Sequence, residues 1–133
     1  MDAHEIRLSP DPIAAYRISQ GFRVGDLLFI SGQAAIADDG TIVGVGDFDA
    51  QVEHVFARLE RVLQAGGSSL AQVVKVTVYV TDMSHIEQVV AFRERYFTEP
   101  YPADTLVEVQ ALGLPELMLE IEAIALTGDG RVR

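Results

Sequence analysis

Apolar and polar positions follow two different periods along this chain of 133 residues. Between Val52 and Leu63 the apolar side chains recur every three or four residues, with Arg58 among the charged residues assigned to the opposite side. This spacing predicts an amphipathic helix, and Gly66-Gly67 is expected to end it. Residues 74–80 instead place valine at every second position, which predicts a strand.

A second helix is predicted to start in Ser84–Glu87, which has the form of a capping box, and to run to about Phe97. Its expected buried residues are Ile86, Val89, Val90 and Phe97. Turn residues bound four further predicted strand segments, at 16–24, 27–31, 105–111 and 118–126. The first of these is the expected hairpin partner of the second.

Together these elements predict a single α+β domain across residues 1–133, with its core at about 6–126. We expect a mixed sheet of about six strands, with two helices packed on one face. Residues 1–12 are predicted to be an extended arm, and residues 128–133 a frayed, flexible tail.

The sheet face that the helices leave uncovered is predicted to mix apolar with polar side chains. Its expected members are Lys75, Thr77, Tyr79, Leu106, Glu108, Gln110, Met118, Glu120, Glu122, Ile124 and Leu126. Such a row is too apolar for an ordinary solvated surface and too polar for a core. The mixture favours a subunit interface, and the alternative is an edge of the monomer core with ordinary surface polar residues.

Composition narrows the classes of function. The 20 acidic residues outnumber the 10 basic ones, so the formal net charge is −10, and this sign opposes general binding to nucleic acid. The lack of cysteine excludes disulfides, thiolate nucleophiles and cysteine metal sites. No apolar run approaches the ~20 residues of a membrane span. No signal-peptide pattern opens the chain, so the expected location is the cytoplasm.

Three short motifs carry candidate chemistry. They are Ser31-Gly32-Gln33, Glu120-Ile121-Glu122 and Pro102-Ala103-Asp104-Thr105. The glycine of the first motif leaves backbone N–H groups at a strand end free to bind a ligand. The second motif puts two carboxylates on one strand face, where desolvation would raise the pKa of one of them and suit it to proton transfer. Taken alone, each has a plainer explanation: a bulge, arginine-paired carboxylates, and a turn or cap residue. No metal-ligand cluster is visible, and His4, His54 and His85 are each expected to be solvated.

These motifs, together with Val73–Asp82 and Tyr96-Phe97, occur in an order and spacing that resemble the Rid family. This family, also called the YjgF type, comprises imine and enamine deaminases. The resemblance covers about residues 6–126 and implies a chorismate-mutase-like fold. It also implies a homotrimer whose sheets form a central barrel, with small-molecule pockets between subunits.

The resemblance also implies hydrolysis of small imines or enamines to oxo compounds and ammonia, without a cofactor or metal. Tyr16 matches the tyrosine of the family's pocket wall, and Ser31 with Gly32 matches its backbone edge. Glu120 matches the carboxylate that places or activates water. Thr105 is the remaining expected substrate-binding residue.

Asp104 departs from the family pattern, because the residue after Pro-Ala is an arginine in the deaminase type. A guanidinium holds a substrate carboxylate through two parallel hydrogen bonds, and Asp104 inverts that charge. The expected substrate is therefore neutral or cationic near Asp104, which becomes a second candidate acid/base. Arg17, Arg23 and Arg93 are the candidates to replace the missing cation.

Two functions stay open from sequence. One is a divergent Rid-type hydrolase, and the other is a non-enzymatic trimer that binds a small metabolite or a protein in the same cleft. An endoribonuclease activity is disfavoured by the acidic charge and by Lys75 being the only lysine.

Overall fold

Six strands form one mixed sheet in the computed structural model, which describes residues 1–133. In chain order they are β1 (Ala3–Ile6), β2 (Gly21–Val24), β3 (Leu27–Gln33), β4 (Val73–Val80), β5 (Ala103–Glu108) and β6 (Leu119–Leu126). Their order across the sheet is β1-β2-β3-β6-β4-β5. Only the β4–β5 pair is parallel, and the predicted hairpin between the second and third strands is present.

Two helices connect these strands, α1 (Phe48–Ala65) and α2 (Ile86–Tyr96). The Asp47 side chain accepts a hydrogen bond from the Ala50 N–H at 3.1 Å and so caps the start of α1. At the other end the backbone of Gly67 has φ +81°, which ends the helix as predicted.

Burial alternates strictly along β6, a central strand of the sheet. In β6 the side chains of Leu119, Ile121, Ala123 and Ala125 are buried, whereas those between them are half-buried. The buried rows of β3, β4 and β6 join the apolar sides of α1 and α2 in one hydrophobic cluster. This is the predicted arrangement, with both helices on one face of the sheet.

The other face of the sheet, called the open face below, carries the predicted mixture on β4 and β6. The prediction was wrong for Leu106 and Glu108, which pair with the buried Val78 and Val80 and so lie on the helix-covered side of the sheet. The central row of the open face contains Lys75, Thr77, Tyr79, Glu120, Glu122 and Ile124, all half-buried in the single chain. Phe22, Phe29 and Val107 remain exposed, with 36–44% of their surface accessible. Large apolar side chains beside charged ones leave this face suited to contact with another protein surface.

The first residues of the chain differ from prediction. Residues 3–6 are not a free arm but pair with β2, so that Ile6 reaches the core. The prediction missed β1 because its partner strand lies later in the chain, and the periodicity of four residues does not detect such pairing. In the expected tail, the Gln72 side chain donates hydrogen bonds to the carbonyls of Gly128 and Gly130, each at 3.0 Å.

The start of α2 was also predicted wrongly. Ser84 does not cap it; Asp82 accepts a hydrogen bond from the Ser84 N–H at 2.9 Å and starts a 3-10 turn, Met83–His85. Val89 and Phe97 are buried as predicted, but Ile86 and Val90 are exposed, at 42% and 46%, and Phe92 enters the core.

The described structure contains no helix that is both long and apolar enough to cross a bilayer.

Candidate functional site

Gly32 and Glu120 lie against each other where β3 meets β6. The register between the two strands shifts between Ile30 and Gln33, so Gly32 sits in an irregular step of the ladder. A Cβ atom at position 32 would lie 1.9 Å from Glu120 Oε1 and 2.7 Å from its Cδ. Only glycine at this position leaves room for the Glu120 side chain in this conformation.

A cavity of about 170 Å³ opens beside this pair, and it is called the Glu120 cavity below. Its chemically distinctive lining residues are Tyr16, Gly32, Gln33, Arg58, Gly113 and Glu120, and the remaining ones are mostly aliphatic. Tyr16 is 53% exposed and lies at the rim. The predicted residues Tyr16, Gly32 and Glu120 therefore come together within one chain.

The Glu120 carboxylate sits in an unusual electrostatic setting. Burial raises its pKa above the ordinary value of 4.5, and the negative charge of Glu122 raises it further. Glu120 accepts no hydrogen bond from another side chain or from the backbone, and it forms no salt bridge. Such a carboxyl group holds its proton more tightly and is free to exchange it with a ligand.

Glu122, by contrast, is occupied. The Tyr79 hydroxyl donates a hydrogen bond to its Oε1 atom at 2.6 Å. That hydrogen bond is the main reason why the pKa of Tyr79 lies above its usual 10.0, with burial second. The two carboxylates of the Glu120-Ile121-Glu122 motif thus differ in environment, and this divides their possible roles.

Ser31 does not line the Glu120 cavity but holds the chain segment at its rim in place through hydrogen bonds. Its hydroxyl donates to the Ser19 carbonyl at 2.6 Å, and its N–H donates to the Gln20 carbonyl at 2.9 Å. The buried Gln20 and Gln33 side chains join to each other at 3.1 Å. These bonds tie the segment that follows Tyr16 to the end of β3.

Arg58 is the residue that the sequence analysis placed wrongly. It was assigned to the polar side of α1, but only 3% of it is exposed and it lines the Glu120 cavity. Its position has a simple signal: Gln51, Val55, Arg58 and Val62 follow one another at intervals of four, three and four, along one helix stripe, and all four are buried. Because Arg58 is charged, the sequence pattern did not count it as a member of this buried stripe.

Asp104 and Thr105 lie elsewhere in the same chain. The Arg93 guanidinium binds both Asp104 oxygens, from Nε at 3.0 Å and from Nη2 at 2.9 Å. This pair lines a separate cavity of about 370 Å³ with Val90, Phe97 and Tyr101. Thr105 accepts a hydrogen bond from Lys75 Nζ at 2.9 Å.

None of the three arginines proposed to replace the missing cation lines the Glu120 cavity within the chain. Arg93 binds Asp104, and Arg23 donates to the Gly25 carbonyl at 3.1 Å. Arg17 ends a 3-10 turn with φ 62° and is exposed. The guanidinium that the structure brings to the cavity is that of Arg58.

The histidines lie outside the cavity, and two of them are less solvated than predicted. The His85 ring stacks on Phe48 with centroids 4.1 Å apart. His54 Nε2 lies 3.0 Å from the Ile36 carbonyl oxygen. No cluster of three or more histidine, aspartate or glutamate side chains is arranged to hold a metal ion.

A mixed six-stranded sheet with two helices on one face defines the chain as an α+β protein of the chorismate-mutase-like class. Residues 7–127 match the family described as endoribonuclease L-PSP. The chain belongs to this family, which is also called the YjgF/Rid family.

Individual relatives agree with this assignment. A RutC family protein of Pyrococcus horikoshii is 38% identical over 117 residues, which are 88% of this chain and 90% of the relative. The protein HMF1 of Saccharomyces cerevisiae is 36% identical over 118 residues, 89% of this chain and 90% of its own. The crystal structure of RidA from an Antarctic Psychrobacter has a TM-score of 0.84 at 33% identity, covering 92% of this chain and 98% of that one.

Proposed function

We propose that this protein is a cytoplasmic hydrolase of small imines or enamines, acting with water and without a cofactor in the Glu120 cavity. Membership of the Rid family supports a general imine-deaminase or small-molecule-binding role. The observation that carries the hydrolase proposal is the state of Glu120. It is a desolvated carboxyl group with a raised pKa and no partner in the chain, held against a glycine and facing a cavity.

The proposed reaction needs one group that moves protons. Glu120 takes a proton from a water molecule as the water oxygen attacks the imine carbon, and the C=N double bond becomes a single bond. That proton passes to the nitrogen and gives a carbinolamine. Glu120 then carries the hydroxyl proton to the same nitrogen, the C–N bond breaks as the C=O bond forms, and an oxo compound and ammonia leave. A carboxyl group with a raised pKa serves both transfers, because its two protonation states lie closer in energy near neutral pH.

The proposal places the complete site at the interface of a homotrimer. Its support is the open face, where Phe22, Phe29 and Val107 are exposed beside the half-buried carboxylates. β5 is an edge strand, so Asp104 and Thr105 lie where a neighbouring copy can bring them to the Glu120 cavity. In that arrangement Asp104, oriented by Arg93, faces the nitrogen end of the substrate.

Asp104 also affects how tightly an anionic substrate can bind. The family's carboxylate clamp is absent at this position, and the Asp104–Arg93 pair carries no net charge. An anionic group on the substrate must therefore be held elsewhere.

Two matched variants test the role of Glu120. Freshly generated 2-aminoacrylate is given to the wild type, Glu120→Gln and Glu122→Gln, and release of pyruvate and ammonia is compared with the uncatalysed rate. We expect Glu120→Gln to lose at least about a hundredfold in rate, as for removal of a general acid/base. Glu122→Gln should keep turnover, with its pH profile shifted to lower pH because one charge that raises the Glu120 pKa is gone.

Equal turnover by Glu120→Gln and wild type would refute the hydrolase proposal. A protein that turns nothing over but is stabilised by one compound in a thermal-shift screen of amines, amino acids and oxo acids would be a metabolite-binding member. A size measurement in solution tests the trimer, and a monomer at micromolar concentration would contradict it.

A further inference from the structure

Arg58 combines burial with an incomplete set of hydrogen bonds. Its Nη1 atom donates to Asp38 Oδ1 at 3.1 Å, whereas its buried Nη2 atom has no hydrogen-bond partner. Apart from the Thr127 hydroxyl, no other buried side-chain nitrogen or oxygen lacks a partner. An unpaired buried donor is costly and rare in folded proteins, and most costly when it is charged.

The charges around Arg58 do not balance. Arg61 also binds Asp38 Oδ1, at 2.9 Å, so that one carboxylate faces two guanidinium groups. The Asp38 side chain is 48% exposed and the Arg61 side chain is 38% exposed, so water screens the charges of this outer pair. The excess positive charge is therefore concentrated on the inner member, Arg58, at the wall of the cavity.

The lining of the cavity thus carries charges of both signs. Arg58 contributes a cation and Glu120 an anion, and the two do not form a salt bridge with each other. The volume of about 170 Å³ has room for roughly five water-sized groups. A small molecule with an anionic group at one end and a reactive carbon at the other fits this polarity.

We propose that Arg58 binds the carboxylate of the substrate and so takes over the part of the arginine that position 104 lacks. This inference rests on the proposed function and adds a specificity-determining residue to it. The substrates that Arg58 selects carry a carboxylate beside the imine carbon, as the 2-imino acids of the family do, and their products are 2-oxo acids. Arg58 binds the carboxylate, Glu120 acts at the adjacent imine carbon, and Asp104 of a neighbouring copy faces the nitrogen. The negative charge of Asp104 alone would repel such substrates, whereas the guanidinium of Arg58 supplies the positive charge that binds their carboxylate.

Binding of product analogues to the wild type tests this directly. Pyruvate and its neutral isostere pyruvamide are compared by calorimetric titration at low ionic strength. We expect pyruvate to bind at least about tenfold more tightly, because only its carboxylate forms charge-assisted hydrogen bonds with the guanidinium. Equal affinity for the two compounds would overturn the proposal.

Arg58→Gln and Arg61→Gln form a matched pair, because both remove a guanidinium bound to Asp38 and only one removes it from the cavity. The preference for pyruvate should vanish in Arg58→Gln and persist in Arg61→Gln. A preference that survives in Arg58→Gln would refute the role of Arg58, whatever the effect on turnover.

A third measurement needs no variant, in case Arg58→Gln does not fold. The arginine side-chain NMR signals of the wild type are followed during titration. The Arg58 signals should shift on addition of pyruvate and stay in place with pyruvamide. Unmoved Arg58 signals at saturating pyruvate would overturn the proposal, while turnover that depends on Glu120 would leave the hydrolase proposal standing.

Discussion

Gly32 and Glu120 are matched so closely that residue 32 has no space for a single methyl group, since a Cβ atom there would lie 1.9 Å from Glu120 Oε1. The Glu120 carboxylate is therefore oriented by the absence of a side chain on the neighbouring strand. The role of the glycine in Ser31-Gly32-Gln33 is therefore to make room for the Glu120 side chain, which the tripeptide considered alone does not reveal.

Gly32→Ala should abolish activity while leaving the fold intact. The added methyl group displaces the Glu120 carboxylate, which is the far end of a flexible side chain, so the backbone need not move. We expect a loss of at least about a hundredfold in 2-aminoacrylate turnover, comparable to removal of the carboxyl group itself. Gly113→Ala is the matched control, because Gly113 lines the same cavity and a Cβ atom there meets nothing within 4 Å.

Glu120→Gln should make stability less dependent on pH. Folding raises the pKa of Glu120 above 4.5, so the folded state binds this proton more tightly than the unfolded state. In the wild type the resulting penalty is absent below pH 4.5 and grows as pH rises through the raised pKa. Glu120→Gln lacks the penalty, so its stability relative to wild type should increase from pH 4 to pH 7. Urea unfolding across this range measures the difference, and a constant difference would contradict it.

Gln51→Leu should be strongly destabilising. The fully buried Gln51 amide accepts a hydrogen bond from Met118 N–H at 2.8 Å and donates to the Glu116 carbonyl at 2.9 Å. Leucine leaves the Met118 N–H and the Glu116 carbonyl without these partners, at a cost of about 2–4 kcal/mol. Gln64→Leu, at an exposed position of the same helix, should change the free energy of unfolding by less than about 0.5 kcal/mol. Similar values for the two variants would show that the Gln51 contacts contribute little.

Asp104→Asn should weaken the two-pronged contact with Arg93. The two side chains are 18% and 28% exposed, so we expect a loss of about 1 kcal/mol in unfolding free energy, reduced by added salt. Glu5→Gln, which removes the more exposed pair with Arg7, is expected to have no measurable effect. If the unfolding free energy depends on salt equally in Asp104→Asn and in wild type, the Asp104–Arg93 pair is not important for stability.

Much of the fold was predictable because its signals are local. The alternation at 74–80 and the stripe from Val52 to Leu63 each follow from one element burying one side. The start of α2 was not predictable, because Asp82 caps a 3-10 turn where the capping box was expected. The pairing of β1 with β2 depends on Ile6 reaching a core that lies mostly later in the chain.

The candidate site was predictable only in part. Family resemblance pointed to Tyr16, Gly32 and Glu120, which line one cavity. Arg58 was missed because a charged residue is normally assigned to the solvent side of a helix. The environment of Asp104 was also missed, because its partner Arg93 lies on a different element and no spacing rule connects them.

In the proposed homotrimer, the position of Glu120 on the open face would link proton uptake to assembly. A second copy covering this face removes further water from Glu120 and Glu122, and so favours the protonated form of Glu120. By thermodynamic reciprocity, mild acid should then promote association and dilution should release a proton. A cell would thus set the acidity of this carboxyl group partly through how much of the protein it makes.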